Sequence, residues 1–465
     1  MATRRFQSDS WLTRSPSALA LTTFDRSLTV GDVLDAAHAV TARLTSAFPD
    51  GGCLLVPSTC PAEFLIGLIA CNRAGVAAAP WREGSQSLAS IAGVIRPDGI
   101  VRLTEDDLIE PIGTPSLGRP REGDLIMMTS GSSGVPKGVV LTLDQAILNA
   151  VSAGSAMQVW RCDGWAIDID MALMSAVSHM LMAWHFDLPL HHLTGRGDIA
   201  VADLFRESRV GFGGSPVQLI RLGERLNADC GPLMMVSSGD FLSPAMVDEI
   251  LAAFPDTRVH KLYGLTECSG RFCCITHEQL VTDKAAVGWP LPGFHGRIAS
   301  AGSGEIGEIE ASGPLLMAGY YRAGGVFEPR EPGWFSTGDL GFQGSDGLFT
   351  LVGRADDVVK VGGEKVDRQS IELALSDLMT GREFCVLGVS HSLVGQCPAL
   401  FVAAAPDGSD PPGWGAIVAH IRPKLPSRFI PGLMYRLDEA LPRLANGKID
   451  RETLKTNHLK FRRLR

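Results

Sequence analysis

Leu125–Thr142, LIMMTSGSSGVPKGVVLT, sets an apolar run against a glycine, serine and lysine loop and then a second apolar run. Leu125 to Met128 reads as a short buried strand. Thr129, Ser130, Ser132 and Ser133 supply hydroxyls, and Gly131, Gly134 and Gly138 let the backbone approach a ligand closely. Successive backbone N–H groups in such a turn form an anion-binding concavity, and Lys137 adds a positive charge, so the loop suits a polyphosphate. Pro136 stiffens the turn just before the lysine. The Walker pattern needs Gly, four residues, then Gly-Lys-Ser/Thr; here Pro136 precedes Lys137 and Gly138 follows it, which disfavours a P-loop ATPase. Taken alone, a solvated Gly/Ser loop accounts for the stretch equally well.

The 465 residues are too many for one hydrophobic core, so two or more units are expected. A hydrophobic share of 45% with 20% charged residues is that of a soluble globular protein. The ten cysteines are scattered, and the adjacent pair Cys273-Cys274 has the spacing of neither a zinc ribbon nor a redox CxxC. Reduced thiols and a cytoplasmic location are the expectation. The opening MATRRFQSDSWLTRS has arginines but no apolar segment behind them, and no apolar run spans a bilayer, so neither secretion nor a membrane is expected. A net charge of −9 argues against nucleic acid, although the end, KFRRLR, is locally basic and reads as a solvated tail.

Along the chain, residues 28–48 carry apolar positions at helical spacing, Cys53 to Pro57 reads as a buried strand, and Phe64 to Ala79 as a buried helix ending near Gly75 that leads into another strand. This is the α/β alternation of a parallel sheet. Leu143 to Val159 is an expected helix. Trp165 to Trp184 is an apolar stretch interrupted by Asp168, Asp170 and His179, where a lone histidine is most often a core residue. Two further β-α units follow, around Val210 and around Leu233, the second with Ser243-Pro244 as cap and first-turn residues. From Gly288 a Gly/Pro-punctuated run of short strands suggests a small β-barrel, and from Val358 a compact α+β unit follows.

Thr129-Ser-Gly-Ser-Ser-Gly-Val-Pro-Lys-Gly resembles the phosphate loop of the adenylate-forming superfamily, which contains acyl-CoA synthetases, carrier-protein adenylation domains and firefly luciferase. Tyr263-Gly-Leu-Thr-Glu267 is similar to the second hallmark of that family, Thr337-Gly-Asp339 and Gly353-Arg354-Ala-Asp356 to the next two, and Asn446-Gly-Lys448 to the last. They occur in the family order across residues 125–451. The fold implied is α/β: a large N-terminal domain of two αβαβ sheet subdomains plus a small β-barrel over residues 1–355, then a small mobile α+β lid over 356–465.

The resemblance implies roles residue by residue. Thr129, Ser130, Gly131, Ser132, Ser133, Gly134 and Lys137 would hold the ATP phosphates. Tyr263 and Gly264 would lie against adenine, Thr266 would meet the α-phosphate, and Glu267 would hold Mg²⁺. Asp339 would bind ribose from a turn, assisted by Arg354. Where the family usually has Gly-Gly-Ala-Pro beside the adenine, this chain has Ser238, Gly239, Asp240 and Phe241, which alters the pocket floor. His179 would stand in the wall of the acyl pocket with Ser238, Gly239 and Leu265, and the methionines around it suggest a neutral, apolar pocket. Asp356 would be the hinge, Gly362, Gly363 and Lys365 the thiol-entry side, and Lys448 the catalytic ammonium, with Thr266 and Glu267 beside it.

ATP, Mg²⁺ and a small-molecule acid follow from the resemblance, with CoA as the leading acceptor. A carrier-protein thiol, an amine, a small oxyacid substrate such as nitrite, a nucleotide-binding relative without catalysis, and a monomer or a homodimer all stay open at this level.

Overall fold

The computed structural model describes residues 14–83, 88–103, 109–112, 124–130, 136–226, 230–299, 305–354, 358–361, 364–379, 382–391, 395–405, 409–443 and 449–464. Packing divides the chain into one unit of Met1–Gly296 with Ala311–Phe335 and another of Arg297–Glu310 with Ser336–Arg465.

The first unit is built on two sheets. In one, Cys53–Pro57 pairs in parallel with Ala77–Trp81 and with Gly99–Val101, and Ala77–Trp81 pairs in parallel with Leu125–Ser130. Their side chains are buried on both faces, which is why the sequence shows continuous apolar runs rather than alternation. The connecting helix Pro61–Ala74 begins three residues before Phe64, because Pro61 fits the first turn, where its missing N–H costs nothing. Its buried residues run without a break from Pro61 to Cys71, apart from Glu63, and Gly75 ends it in the left-handed region at φ 71°.

In the other sheet the parallel strands Gly164–Ile167, Val210–Gly214, Met234–Ser238 and Arg258–Tyr263 lie side by side in that order. The apolar stretch from Trp165 divides into the first of these strands and the helix Met174–His185. Helix Leu143–Met157 starts at a capping box: Gln145 N donates to Thr142 Oγ1 at 3.1 Å, and Thr142 N donates to Gln145 Oε1 at 3.0 Å.

Two strands of the run expected to form a small β-barrel pair with the first sheet. Gly319–Arg322 joins the first sheet antiparallel to Pro136–Leu141, with Tyr320 opposite Val139 and Tyr321 opposite Gly138, and Val326–Pro329 adds the next strand outward. Period-2 alternation is the cause: Tyr321 points into the core with Ile95 and Ile126, in the room left by the bare Gly138, and Tyr320 is turned to the opposite face. Phe335–Gln343 and Phe349–Arg354 pair antiparallel in the second unit.

The second unit also carries a sheet in which Gly395–Ala403 is flanked by Phe384–His391 and Leu433–Leu437. Helices Arg368–Leu375 and Trp414–Ile421 close a core of Val359, Val366, Ile371, Val386, Leu400 and Ile417. All ten cysteines are free, nine of them buried. No described helix is long and apolar enough to cross a membrane.

Candidate active site

Leu125–Ser130 and Pro136–Leu141 form the hairpin that carries the glycine loop, with Thr129 opposite Lys137. Lys137 Nζ donates to Glu267 Oε1 at 2.8 Å and to the Tyr320 hydroxyl at 3.1 Å, and that hydroxyl donates to the same Glu267 oxygen at 3.0 Å. The ammonium lies 4.1 Å from the Tyr320 ring centroid. Only 19% of the Lys137 side chain and 11% of the Glu267 side chain is exposed, so this pair is less screened than a surface ion pair. Burial and the neighbouring Glu267 carboxylate push the Tyr320 phenol above its usual range, which keeps it protonated and donating.

Glu267 is presented by a backbone knot. Strand Arg258–Tyr263 runs into Gly264, then into the turn Thr266–Cys268. A Cβ at Gly264 would stand 2.4 Å from the Gly270 carbonyl oxygen, so only glycine lets the chain fold back this tightly. Phe272 N donates to the Tyr263 carbonyl at 2.8 Å, Gly270 N to that of Leu265 at 3.0 Å, and Met317 N to that of Glu267 at 2.9 Å. Thr266 and Leu265 are half-buried at the bend, and Tyr263 packs edge-on against Phe272 with centroids 5.9 Å apart.

Three buried hydroxyls here have no partner among the described residues: Thr129 Oγ1, Ser237 Oγ and Ser238 Oγ. A buried hydroxyl left unsatisfied costs about 1–3 kcal/mol, so each is a candidate to meet a polar atom from outside the chain. Ser238 pairs with Leu262 on the neighbouring strand and leads into Gly239 and Asp240, which are exposed. Asp240 Oδ1 is turned back to accept from Phe241 N at 2.8 Å.

No group of three or more His, Cys, Asp or Glu suited to a metal occurs among the described residues. Glu267 alone therefore fits a cation such as Mg²⁺, which binds through one carboxylate and completes its shell with phosphate oxygens and water, and does not fit zinc.

Asp339 sits in strand Phe335–Gln343, not in the turn expected from the sequence. Gly338 takes φ 76°, a local bend inside the strand that reads in sequence like a turn, and a Cβ there would lie 2.8 Å from Arg354 Nη2. Asp339 is directly opposite Arg354 in the register, and Arg354 Nη1 stands 3.2 Å from Asp339 Oδ1. Asp339 N donates to Thr337 Oγ1 at 3.1 Å.

His179 lies on helix Met174–His185, buried, its ring stacked on Trp165 with centroids 5.6 Å apart. Burial, and secondarily the nearby Arg271, hold the imidazole well below its usual range, so it is neutral. Arg271 itself went unread in the sequence. It is a fully buried guanidinium whose Nη2 donates to the Ser175 carbonyl at 3.0 Å, and it corrects the expectation of a neutral surrounding for His179. Tyr320 was missed as well; its signal is the alternation of Gly319–Arg322, which settles its facing only once Pro136–Leu141 is known to be its neighbour.

The structure thus brings Lys137 and Glu267 together, and Asp339 with Arg354. Gly131, Ser132, Ser133, Gly134, Asp356, Gly362, Gly363 and Lys448 lie outside the described residues, as do the side chains of Ser130 and Lys365.

Residues 102–321 match the model of a family described as AMP-binding enzyme. The 2-succinylbenzoate–CoA ligase of Geobacillus kaustophilus (strain HTA426) is 27% identical over 348 residues, 71% of this chain and 68% of that protein. The Bacillus subtilis o-succinylbenzoate CoA synthetase superposes with a TM-score of 0.80 at 22% identity in complex with its acyl-adenylate intermediate, over 96% of this chain and 97% of that one. With ATP and magnesium ion the same protein gives 0.80 at 21% identity, over 96% and 99%. ATP-bound MatB from Rhodopseudomonas palustris gives 0.82 at 22% identity, over 96% of each chain.

Proposed function

We propose that this chain, whose residues 102–321 match the AMP-binding enzyme family, is an adenylate-forming enzyme that activates a carboxylic acid with ATP and passes the acyl group to the thiol of CoA. The observation that carries the reading is the convergence of Lys137, Glu267 and Tyr320, residues from distant parts of the chain, on one partly buried carboxylate oxygen.

In the first step a carboxylate oxygen attacks the α-phosphorus, and the bond to pyrophosphate breaks with its electron pair leaving on the pyrophosphate oxygen. In the second, the thiol sulfur attacks the acyl carbon and AMP departs. Both steps are achieved largely by positioning and charge neutralisation. Lys137 leaves Glu267 for the phosphates, and the Tyr320 hydroxyl keeps its hydrogen bond to the carboxylate as the lysine moves. Mg²⁺ bound at Glu267 supplies neutralisation of phosphate charge. The unpartnered hydroxyls of Thr129, Ser237 and Ser238 receive polar atoms of the nucleotide or acid.

Asp339 and Arg354 bind the ribose, Tyr263 and the Gly239-Asp240 turn flank the adenine, and Lys448 places its ammonium beside the attacking carboxylate. Residues 356–465 act as the lid that swings about Asp356 between the two steps, carrying Gly362, Gly363 and Lys365 toward the entering thiol. The reaction is placed in the cytoplasm, with no nucleic-acid or membrane partner.

The test is pyrophosphate release over a panel of aliphatic and aromatic acids, each with and without CoA. Release with a given acid, followed by a CoA-dependent acyl thioester, is expected. ATP binding without release for any acid overturns the reading, and release with no thioester removes CoA as the acceptor.

A further inference from the structure

Arg271 stands four residues after Glu267 and is 2% exposed. Its backbone is held on both sides: Asn149 Nδ2 donates to its carbonyl at 2.6 Å, and the next residue, Phe272, is tied to Tyr263. Among the described residues the guanidinium has one neutral acceptor, the Ser175 carbonyl at 3.0 Å, and its Nε has no partner. No described aspartate or glutamate forms an ion pair with it. Burial lowers its pKa to about 10, so it is still protonated at neutral pH.

The surroundings compound the anomaly. His179, 1% exposed, leaves Nε2 unpartnered, and its ring lies so close to Gly213 that a Cβ there would stand 2.6 Å from it. Ser175, whose carbonyl holds Arg271, also faces the Gly239 turn, its Oγ 3.9 Å from where a Gly239 Cβ would be. The unsatisfied Ser237 and Ser238 hydroxyls precede that turn. A cation, an imidazole nitrogen and two hydroxyls are therefore buried near the bend that leads to Thr266 and Glu267, and among the described residues no carboxylate pairs with the cation, that of Glu267 being taken by Lys137.

Burying a charge without a counter-ion is among the most unfavourable acts in folding. A lysine in this position would escape by deprotonating; an arginine does not. Such a group persists where a ligand brings the opposite charge, and the planar fork of a guanidinium matches a carboxylate. An acid with a plain hydrocarbon tail would leave Arg271 as it stands now.

We infer that the acid this chain activates carries a second carboxylate, received by Arg271 and, in its Nε2–H tautomer, by His179. This rests on the acid-activating reading above and deepens it to dianionic acids.

The test compares matched pairs of acids in ATP-dependent pyrophosphate release: succinate against butyrate, phthalate against benzoate, and 2-succinylbenzoate against 4-oxo-4-phenylbutyrate. The wild type is expected to favour the diacid of at least one pair by about 30-fold or more in kcat/KM, about 2 kcal/mol at 1.4 kcal/mol per tenfold. Arg271→Met should bring that ratio to one or below while the rate with the monoacid is kept or raised, and Arg271→Lys should retain part of the preference. A purely structural arginine would lower both members of a pair in parallel. Wild-type rates with every monoacid equal to or above those with its diacid overturn the inference while leaving acid activation standing.

If none of the six acids releases pyrophosphate, the acid-activating reading falls, and thermal shift decides the charge site by itself. A diacid that raises the Tm of the wild type but not of Arg271→Met supports the site; no shift overturns it. Should Arg271→Met fail to fold, the ratio measured with Arg271→Lys decides.

Discussion

Lys137 and Arg271 are two cations of one unit, held near the same Tyr-Gly-Leu-Thr-Glu bend and treated in opposite ways. Lys137 is half-buried, paired with Glu267 at 2.8 Å and supported by Tyr320. Arg271 is fully buried and has only a backbone carbonyl. A paired, partly hydrated cation is stable without ligand and can change partners, as a group that must take and release phosphate does. An unpaired buried cation does nothing for the empty protein and makes sense as half of an interaction completed from outside. On the proposed reading, the charge that serves the chemistry is kept exchangeable and the charge that selects is held fixed.

The widest break in this contrast would come from Lys137→Met, which leaves Glu267 with only the Tyr320 hydroxyl. Pyrophosphate release should fall by about 10²-fold, the range for losing one well-placed donor to developing phosphate charge; an unchanged rate would remove Lys137 from the chemistry. Tyr320→Phe probes the same knot more gently. It deletes two hydrogen bonds while keeping the ring, and should cost about tenfold in pyrophosphate release, consistent with a bond to a charged group. If the ring contact with Lys137 suffices, the rate will not move.

The unpaired side is sharpened by His260, which is fully buried with neither ring nitrogen partnered among the described residues and which, unlike Arg271, escapes by staying neutral. Burial first, then the nearby Arg258 and His277, push its imidazole down to about 3 against an ordinary 6.5, with Glu278 acting weakly the other way. Between those values the unfolded chain binds a proton that the folded chain refuses. Stability is therefore unaffected above that window and declines as pH falls through it, by at most about 1.4 kcal/mol per pH unit. His260→Leu should flatten this acid limb in a Tm-against-pH series, and an identical limb would show that other groups set it.

The smallest effect is expected away from both cations. Thr142→Ala removes the cap of Leu143–Met157 and should lower unfolding free energy by about 1 kcal/mol in denaturant titration. The ratio of diacid to monoacid activity should stay as it is; a change in that ratio would mean that the selective and exchangeable charges are coupled through this helix.

Much of the architecture is legible along the chain because its signals are local. Buried parallel strands show as continuous apolar runs at Cys53 and Leu125, and helix ends show at Gly75 and Ser243. Asp339 was legible as a motif residue but not as a strand residue, since the positive φ of Gly338 gives a strand the local chemistry of a turn. The neighbours of the short strands after Gly288 were not legible for a related reason: short alternating strands specify their faces but not their partners, and Gly319–Arg322 found Pro136–Leu141.

The sequence by itself determined the order of the motifs, the α/β alternation and which groups are candidates to meet phosphate, because each depends on residues close together in the chain. Tertiary structure alone decided which charges are paired. Lys137 meets a carboxylate 130 residues away and a phenol 183 residues away, and Arg271 meets none among the described residues. The worth of a charge depends on its solvation and its partners, and both are properties of the folded interior, which no spacing along the chain encodes.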